Sequence, residues 1–131
     1  MTTERIPGRE TILRVVPRLG DINANGHIFG GWVLSQMDIA GGIVAAHVAQ
    51  GAVATVAIES MQFIAPILLR DIVSVYAWEE RRGKSSIGIR VEVVATRGTA
   101  HAPEEVKVTD GLFTFVALDE SHRPRPLPTE G

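Results

Sequence analysis

An aspartate stands inside an almost wholly apolar stretch of this sequence. Asp38 lies within Trp32 to Ala49, where it is the one acidic side chain among mostly apolar neighbours. Burying an ionised carboxylate without a partner is costly, so a chain that keeps one there is expected to use it. A carboxylate in such a position can activate water as a general base or attack a carbonyl carbon directly.

A polar, glycine-rich loop leads into this stretch. The loop spans 21–31 and ends in Phe29, Gly30 and Gly31. Backbone N–H groups at the start of a helix, aided by the helix dipole, can stabilise a developing oxyanion, and glycine permits close approach. The loop therefore predicts an oxyanion site, with the alternative that the two glycines serve only the turn or its packing.

The apolar stretch itself has the features of one long helix. It runs from Gly31 to about Gln50, with Gly51 as a C-terminal stop signal. Polar residues and glycines interrupt its apolar surface, so we expect no membrane span. Because apolar residues cover nearly every face, the helix should be wrapped by other structure. Gly41 and Gly42, which follow Asp38, predict a groove where a ligand or a second chain approaches.

The remaining elements are expected to be strands. β-branched runs and period-two alternation predict five of them, at 11–16, 53–64, 72–78, 87–94 and 106–118. This order indicates an α+β fold in which a curved five-stranded antiparallel sheet wraps one central helix. One such sheet covers only part of the helix, so we expect a symmetric dimer. The proline-rich tail, 120–131, is expected to be extended and partly mobile.

Length and composition exclude several functional classes. The chain has 131 residues, enough for a single domain over 1–131 with a core at about 10–119. Its formal charge of -2 gives no basic excess for nucleic acid. It has no cysteine, and His47, His101 and His122 lack carboxylate or histidine partners at ligand spacing, so we assign no metal. The N-terminus lacks the apolar run of a secretory signal, and we expect a soluble, cytoplasmic protein.

Five separated blocks of the sequence carry a resemblance to a known family. The blocks are Asp21–Trp32, Ser35–Asp38, Glu59–Pro66, Gly83–Ser86 and Thr109–Ala117. With these blocks the chain resembles the hotdog-fold acyl-CoA thioesterases of the bacterial YciA type, related to the brain acyl-CoA hydrolase, from about residue 13 to 119. The resemblance implies a hotdog dimer with its sheets joined across the subunits, active sites at the interface and, often, a hexamer built as a trimer of dimers. It also implies hydrolysis of acyl-CoA to a fatty acid and CoA with no required cofactor.

The same resemblance implies roles for the candidate catalytic residues. Asp38 matches the family's catalytic carboxylate, acting as general base or as a nucleophile that forms a transient anhydride. Asn23 is implied to face Asp38 from the other subunit and to position water or the thioester, while Gly30 and Gly31 polarise the carbonyl. The alternative for Asn23 is a bond to its local backbone. His27 is an auxiliary site residue, because relatives more often carry an acidic or amide side chain there.

A basic hairpin is the candidate for holding the CoA phosphates. Lys84, Ser85 and Ser86 follow two arginines between the third and fourth strands, and cations with hydroxyl donors suit phosphate. A solvated turn is the alternative explanation. Ser60 and Phe29 are further candidates for contact with the substrate.

Two other functions remain open at this point. A hotdog hydroxyacyl-thioester dehydratase would pair a loop histidine with a helical carboxylate, as His27 and Asp38 could. The proline-rich segment that follows the dehydratase histidine is absent, and Gly30, Gly31 and Trp32 stand in its place. A non-catalytic acyl-CoA sensor would keep the basic hairpin and bind the ligand without releasing a thiol.

Overall fold

The chain forms one long helix and five strands. A computed structural model describes residues 10–129; the N-terminal segment before residue 10, where we expected no secretory signal, and the last two residues of the tail lie outside it. The expected α+β order is confirmed. The elements are β1 (Glu10–Val15), a short 3-10 helix (Leu19–Asp21), α1 (Gly30–Ala49), β2 (Val53–Phe63), β3 (Ile72–Arg82), β4 (Ser86–Gly98) and β5 (Pro103–Ala117).

All neighbouring strands of the sheet are antiparallel, in the order β1-β3-β4-β5-β2. The central strand, β4, shows the alternation expected from its sequence. Ile87, Ile89 and Val91 are fully buried, while Arg90 and Glu92 project on the opposite face, where both make ion pairs. The buried face of the sheet receives α1 through Val33, Met37 and other small or apolar helix residues.

Gly41 lets the helix lie close to the sheet. A Cβ built at Gly41 would come within 3.1 Å of the Phe115 ring and 3.3 Å of Val91. At Gly42 the nearest atom, again of Phe115, would be 3.8 Å away, an ordinary contact. The expected ligand groove beside Gly41 is therefore wrong, because the chain's own sheet fills that space.

Two expectations are corrected, one about the end of α1 and one about the C-terminal tail. The helix ends through Gln50, which adopts the left-handed conformation at φ 54°, whereas Gly51 was expected to be the stop residue. The tail is not loosely extended in its described part. Leu118 bridges to Pro124, and Leu127 is buried in the core, so the segment after β5 folds back onto the domain.

One side of the molecule remains apolar and uncovered. Ile39 and Ile43 on α1, with Val56 and Ile58 on β2, are each 43–58% exposed. With 20 residues and a mean hydropathy of 1.2, α1 is long and apolar enough to cross a membrane by length and composition alone. A core helix passes the same test, and the buried residues of α1 pack on its own sheet. The uncovered side is where a second copy was expected.

Candidate active site

Asp38 lies on the uncovered side of α1 and is tied to the edge strand. The Thr55 hydroxyl on β2 donates a hydrogen bond to Asp38 Oδ1 at 2.5 Å. Asp38 is exposed in the single chain, so the described fold alone does not bury it. The carboxylate stays accessible because the sheet packs mainly on the opposite side of the helix. Thr55 orients one of its two oxygens.

The start of α1 offers two free backbone donors. We had expected the Phe29 N–H to be free as well, but it donates to the Asp21 carbonyl at 2.9 Å. Within residues 10–129, no hydrogen-bond acceptor faces the N–H of Gly30 or Gly31. The first N–H groups of a helix lack intrahelical partners, so these two can hold an anion.

Glycine at position 31 is not explained by the fold of one chain. A Cβ there would meet nothing within 4 Å, and at Gly30 the nearest atom would be the Phe63 ring at 3.5 Å. Neither glycine has a positive φ, in contrast to Gly26 at +78°. The backbone and packing of the described chain would therefore accept a side chain at Gly31.

The Asn23 side chain shapes the loop before the helix. Its Oδ1 accepts the N–H groups of Asn25 at 2.9 Å and His27 at 3.1 Å, the local bonding that was its alternative role. Within the described part of the chain, the Asn23 amide nitrogen has no hydrogen-bond partner and remains available as a donor. His27 is exposed beside it.

A pocket opens between this loop and the segment after β2. Asn23, His27 and Gly30 line it from the loop, and Phe63 and Pro66 line it from the other side. Its volume of about 290 Å³ is below the usual size of a small-molecule site, about 300–1,000 Å³. Asp38 does not line this pocket. The single chain therefore presents a partial site.

Helix geometry keeps the two parts of the site apart. From Gly30 to Asp38 the helix rises by about 12 Å, at about 1.5 Å per residue. A thioester carbonyl held by the N–H groups of Gly30 and Gly31 is thus out of reach of the same chain's carboxylate. In one chain Asp38 and the loop thus form two separate groups of candidate residues.

A buried ion pair, missed from the sequence, holds the pocket wall. Asp71 is 1% exposed and accepts two bonds from Arg97, at 2.7 and 3.1 Å. Arg97 also donates to the Pro66 carbonyl at 3.1 Å, and Asp71 accepts the Leu68 N–H at 2.8 Å. The Ile67 carbonyl between them accepts the Ile28 N–H. The pair thus fixes the wall of the pocket to the loop before α1.

Ser60 occupies a strained position in β2. Its φ is 56°, and the register of β2 with β5 shifts between Glu59 and Gln62. A non-glycine residue in this region costs about 1–3 kcal/mol, and such strain is common near functional sites. Ser60 is exposed and does not line the pocket beside Phe63, so its contact with substrate stays a prediction.

At the basic hairpin, the two arginines are already paired. Arg81 lies 3.5 Å from Glu59, and Arg82 donates two bonds to Glu79 at 2.6 and 2.9 Å. The hydrogen bond from Arg82 lowers the pKa of Glu79, against the opposing effect of desolvation. Lys84 is exposed and has no acidic partner among residues 10–129. It is therefore the hairpin cation that is available to a phosphate.

Lys84 lines a cleft that Ser85 and Ser86 do not line. Lys84 lines a cleft of about 600 Å³ together with Arg82, Gly83 and the tail residues 126–129. Ser86 lies against the turn, where its Oγ would come within 2.5 Å of a Cβ at Gly83. Ser85 is half-buried, with its carbonyl accepting the Ala117 N–H. The contact of Ser85 and Ser86 with CoA stays a prediction.

Among the described residues, no group of three or more histidine, aspartate or glutamate side chains is placed to hold a metal ion.

Comparison with known proteins identifies the family. Residues 25–101 match the model of the Thioesterase superfamily. The acyl-CoA thioester hydrolase YciA of Salmonella typhimurium is 44% identical over 99% of this chain and 98% of its own length. Two solved structures have the same fold. HI0827, described as a hexameric broad specificity acyl-coenzyme A thioesterase, gives a TM-score of 0.86 at 45% identity, covering 98% of this chain and 86% of that one. The hexameric thioesterase y2039 of Yersinia pestis gives a TM-score of 0.86 at 42% identity, covering 95% of this chain and 100% of that one. The chain therefore belongs to the thioesterase superfamily, has the hotdog fold, and is a member of the YciA-type acyl-CoA thioester hydrolases.

Proposed function

We propose that this protein hydrolyses acyl-CoA thioesters to a carboxylic acid and free CoA, with Asp38 as the catalytic carboxylate. The observation that carries the proposal is the position of Asp38, oriented by the Thr55 hydroxyl on an exposed apolar side of α1. An accessible carboxylate on such a surface becomes desolvated once a second surface covers it, and electrostatic interactions strengthen there.

The covering surface is a second copy of the chain. β2 is an edge strand of the sheet, and an edge with unpaired backbone groups and exposed Val56 and Ile58 is suited to pairing. A twofold axis beside β2 would bring Asp38 of each copy to the loop of the other. Each of the two sites would then combine Asp38 with Asn23, Gly30 and Gly31 from the opposite subunit.

In such a site the groups have separate tasks. The N–H groups of Gly30 and Gly31 hold the thioester oxygen as it gains negative charge, a contribution that is typically worth about 2.7–4 kcal/mol per donor. The Asn23 amide orients water or the thioester. Asp38 either takes a proton from the attacking water or attacks the carbonyl itself and forms an anhydride that water then opens. In the general-base route water supplies the acid's new oxygen. In the anhydride route water opens the anhydride at either carbonyl, and when it attacks the Asp38 carbonyl the acid leaves with an Asp38 oxygen that water replaces. In both routes the CoA thiolate leaves and takes up a proton.

The remaining parts of the proposal follow from the fold and the family. Lys84 binds a CoA phosphate in the cleft beside the tail, and the reaction needs no metal, because Asp38 supplies the base or nucleophile. The relatives HI0827 and y2039 are hexameric, and we propose a trimer of dimers for this chain as well. The absence of cysteine is in keeping with a reducing, cytoplasmic setting.

A thiol-release assay with a panel of acyl-CoAs tests the function. The wild type should release CoA from at least one acyl-CoA, and Asp38→Ala should lose at least about a hundredfold in turnover, as is typical for acid-base groups. Asp38→Asn keeps the shape and serves as the matched variant. Absence of thiol release from every acyl-CoA, or full activity in both variants, would refute the assignment.

A single turnover in heavy-oxygen water then separates the general-base route from the anhydride route, because label in Asp38 itself requires the anhydride.

A further inference from the structure

The C-terminal segment is fastened to the end of α1 by one side chain. Arg125 donates from Nη2 to the Ala49 carbonyl at 2.8 Å and from Nε to the Leu118 carbonyl at 2.9 Å. The Ala49 carbonyl is one of the last in the helix and has no partner further along the helix. A Cβ at Gly51 would come 2.8 Å from the same guanidinium, so glycine there leaves room for it.

Beyond Arg125 the segment reaches the basic hairpin. The Leu127 N–H donates to the Lys84 carbonyl at 2.8 Å, and the Leu127 side chain is buried. Residues 126–129 form one side of the 600 Å³ cleft, and Arg82, Gly83 and Lys84 form the other. Hydrogen bonds thus connect the end of the helix, through Arg125 and Leu127, to the backbone of Lys84.

The chemistry of the cleft suits the nucleotide part of CoA. Lys84 supplies a cation with no acidic partner in the described chain, which is what a phosphate requires. Pro126 and Pro128 line the opposite side with apolar rings. The volume lies within the range of small-molecule sites, about 300–1,000 Å³.

We infer that the C-terminal segment 125–129 is the second wall of the CoA nucleotide site, and that Arg125 is a positioning residue that holds this wall against Lys84. The inference rests on the proposed function for the identity of the ligand. It adds a binding role for a segment whose sequence indicated only an extended tail.

Comparing two substrates that carry the same acyl group isolates this role. One is the acyl-CoA and the other is the acyl-pantetheine, which lacks the nucleotide. Arg125→Ala and Lys84→Ala should each raise KM for the acyl-CoA by about five- to tenfold and leave kcat within about twofold, as expected for lost uniform binding. The kcat/KM for acyl-pantetheine should not change.

Arg123→Ala is the matched control. Arg123 lies in the same segment and carries the same charge, but its side chain makes no hydrogen bond or ion pair within residues 10–129; its recorded bonds use the backbone. This variant should behave like the wild type on both substrates. Arg125→Lys keeps the charge but cannot donate from two nitrogens to the Ala49 and Leu118 carbonyls as the guanidinium does, so it should resemble Arg125→Ala.

Several results would overturn the inference. Equal losses on acyl-CoA and acyl-pantetheine in Arg125→Ala would mean a general structural role. Full rescue by Arg125→Lys would mean that the charge acts directly and that no positioning is involved. No effect of Lys84→Ala would place the nucleotide elsewhere.

Calorimetric titration with CoA and with adenosine bisphosphate provides an independent readout. Both ligands should bind the wild type and Arg123→Ala, and both should bind Arg125→Ala more weakly. If the wild type releases no thiol from any acyl-CoA but still binds these ligands in this pattern, the proposed hydrolysis fails while the inference about the segment stands. An Arg125→Gln variant, which keeps most of the side chain, repeats the test if Arg125→Ala does not fold.

Discussion

The Thr55 hydroxyl on β2 donates to Asp38 Oδ1 on α1 at 2.5 Å, which joins the helix to the edge strand at the proposed catalytic carboxylate. A bond this short is typical of a hydroxyl donating to a charged carboxylate. It engages one oxygen and fixes the direction of the other. Thr55 was not among the residues expected from the sequence, because nothing in the spacing of β2 distinguishes it from other strand threonines.

Replacing Thr55 with valine should lower kcat while the fold is kept. Valine has the same branched shape without the hydroxyl, and a hydrogen bond to a charged group is worth about 1.5–3 kcal/mol, so we expect roughly a tenfold or greater loss. Thr96→Val on β4 is the control, since Thr96 makes no side-chain hydrogen bond within residues 10–129. Added to Asp38→Ala, Thr55→Val should cause no further loss. A full additional loss in the double variant would show that Thr55 acts independently of Asp38.

Gly31→Val should fold and lose activity. The described chain leaves open space around a Cβ at Gly31, so the cost to the free energy of unfolding should stay within about 1 kcal/mol, as expected for a change of helix propensity. The side chain would nevertheless occupy the place of the thioester oxygen. Gly20→Val is the control, because a Cβ at Gly20 also meets nothing within 4 Å. Normal kcat in Gly31→Val would remove this N–H from the oxyanion site.

Asp71→Ala should destabilise the protein strongly. Removing one partner of a buried ion pair leaves the other charge uncompensated, so we expect a loss of about 3–5 kcal/mol in the free energy of unfolding by urea. Arg81→Met breaks an exposed pair with Glu59, and it should cost less than about 1 kcal/mol. Replacing Arg97 with methionine as well should recover part of the loss in Asp71→Ala. Similar costs for the buried and exposed pairs would contradict the role of Asp71.

The Glu79 pair with Arg82 should contribute a small, pH-dependent stability. Because Arg82 lowers the pKa of Glu79, the contribution is present above the ordinary value of 4.5 and is lost as pH falls through the lower folded value. Urea midpoints of the wild type and Glu79→Gln should therefore differ at neutral pH and converge in acid. A difference that persists unchanged in strong acid would assign it to packing and not to charge.

The sequence predicted elements well where a pattern is local. Alternation marked the buried face of β4, and the long apolar run marked α1. The sequence did not predict contacts between distant residues. Arg97 meets Asp71 across 26 positions, and Arg125 reaches Ala49 across 76. Nor could the sequence show that Gly41 packs against the chain's own sheet while a Cβ at Gly31 would contact nothing. Both positions look like ordinary helix glycines until the residues around them are known.

The central claim is that each active site combines Asp38 of one subunit with the loop of its partner, and mixed oligomers test it directly. Asp38→Ala and Gly31→Val, each inactive alone, are co-expressed in equal amounts with the same tag, so that mixed and unmixed dimers are purified together. Random pairing makes about half of the dimers mixed, each with one intact site of two, so activity should return to about a quarter of the wild-type level. Mixed oligomers that remain as inactive as either parent would contradict a shared site.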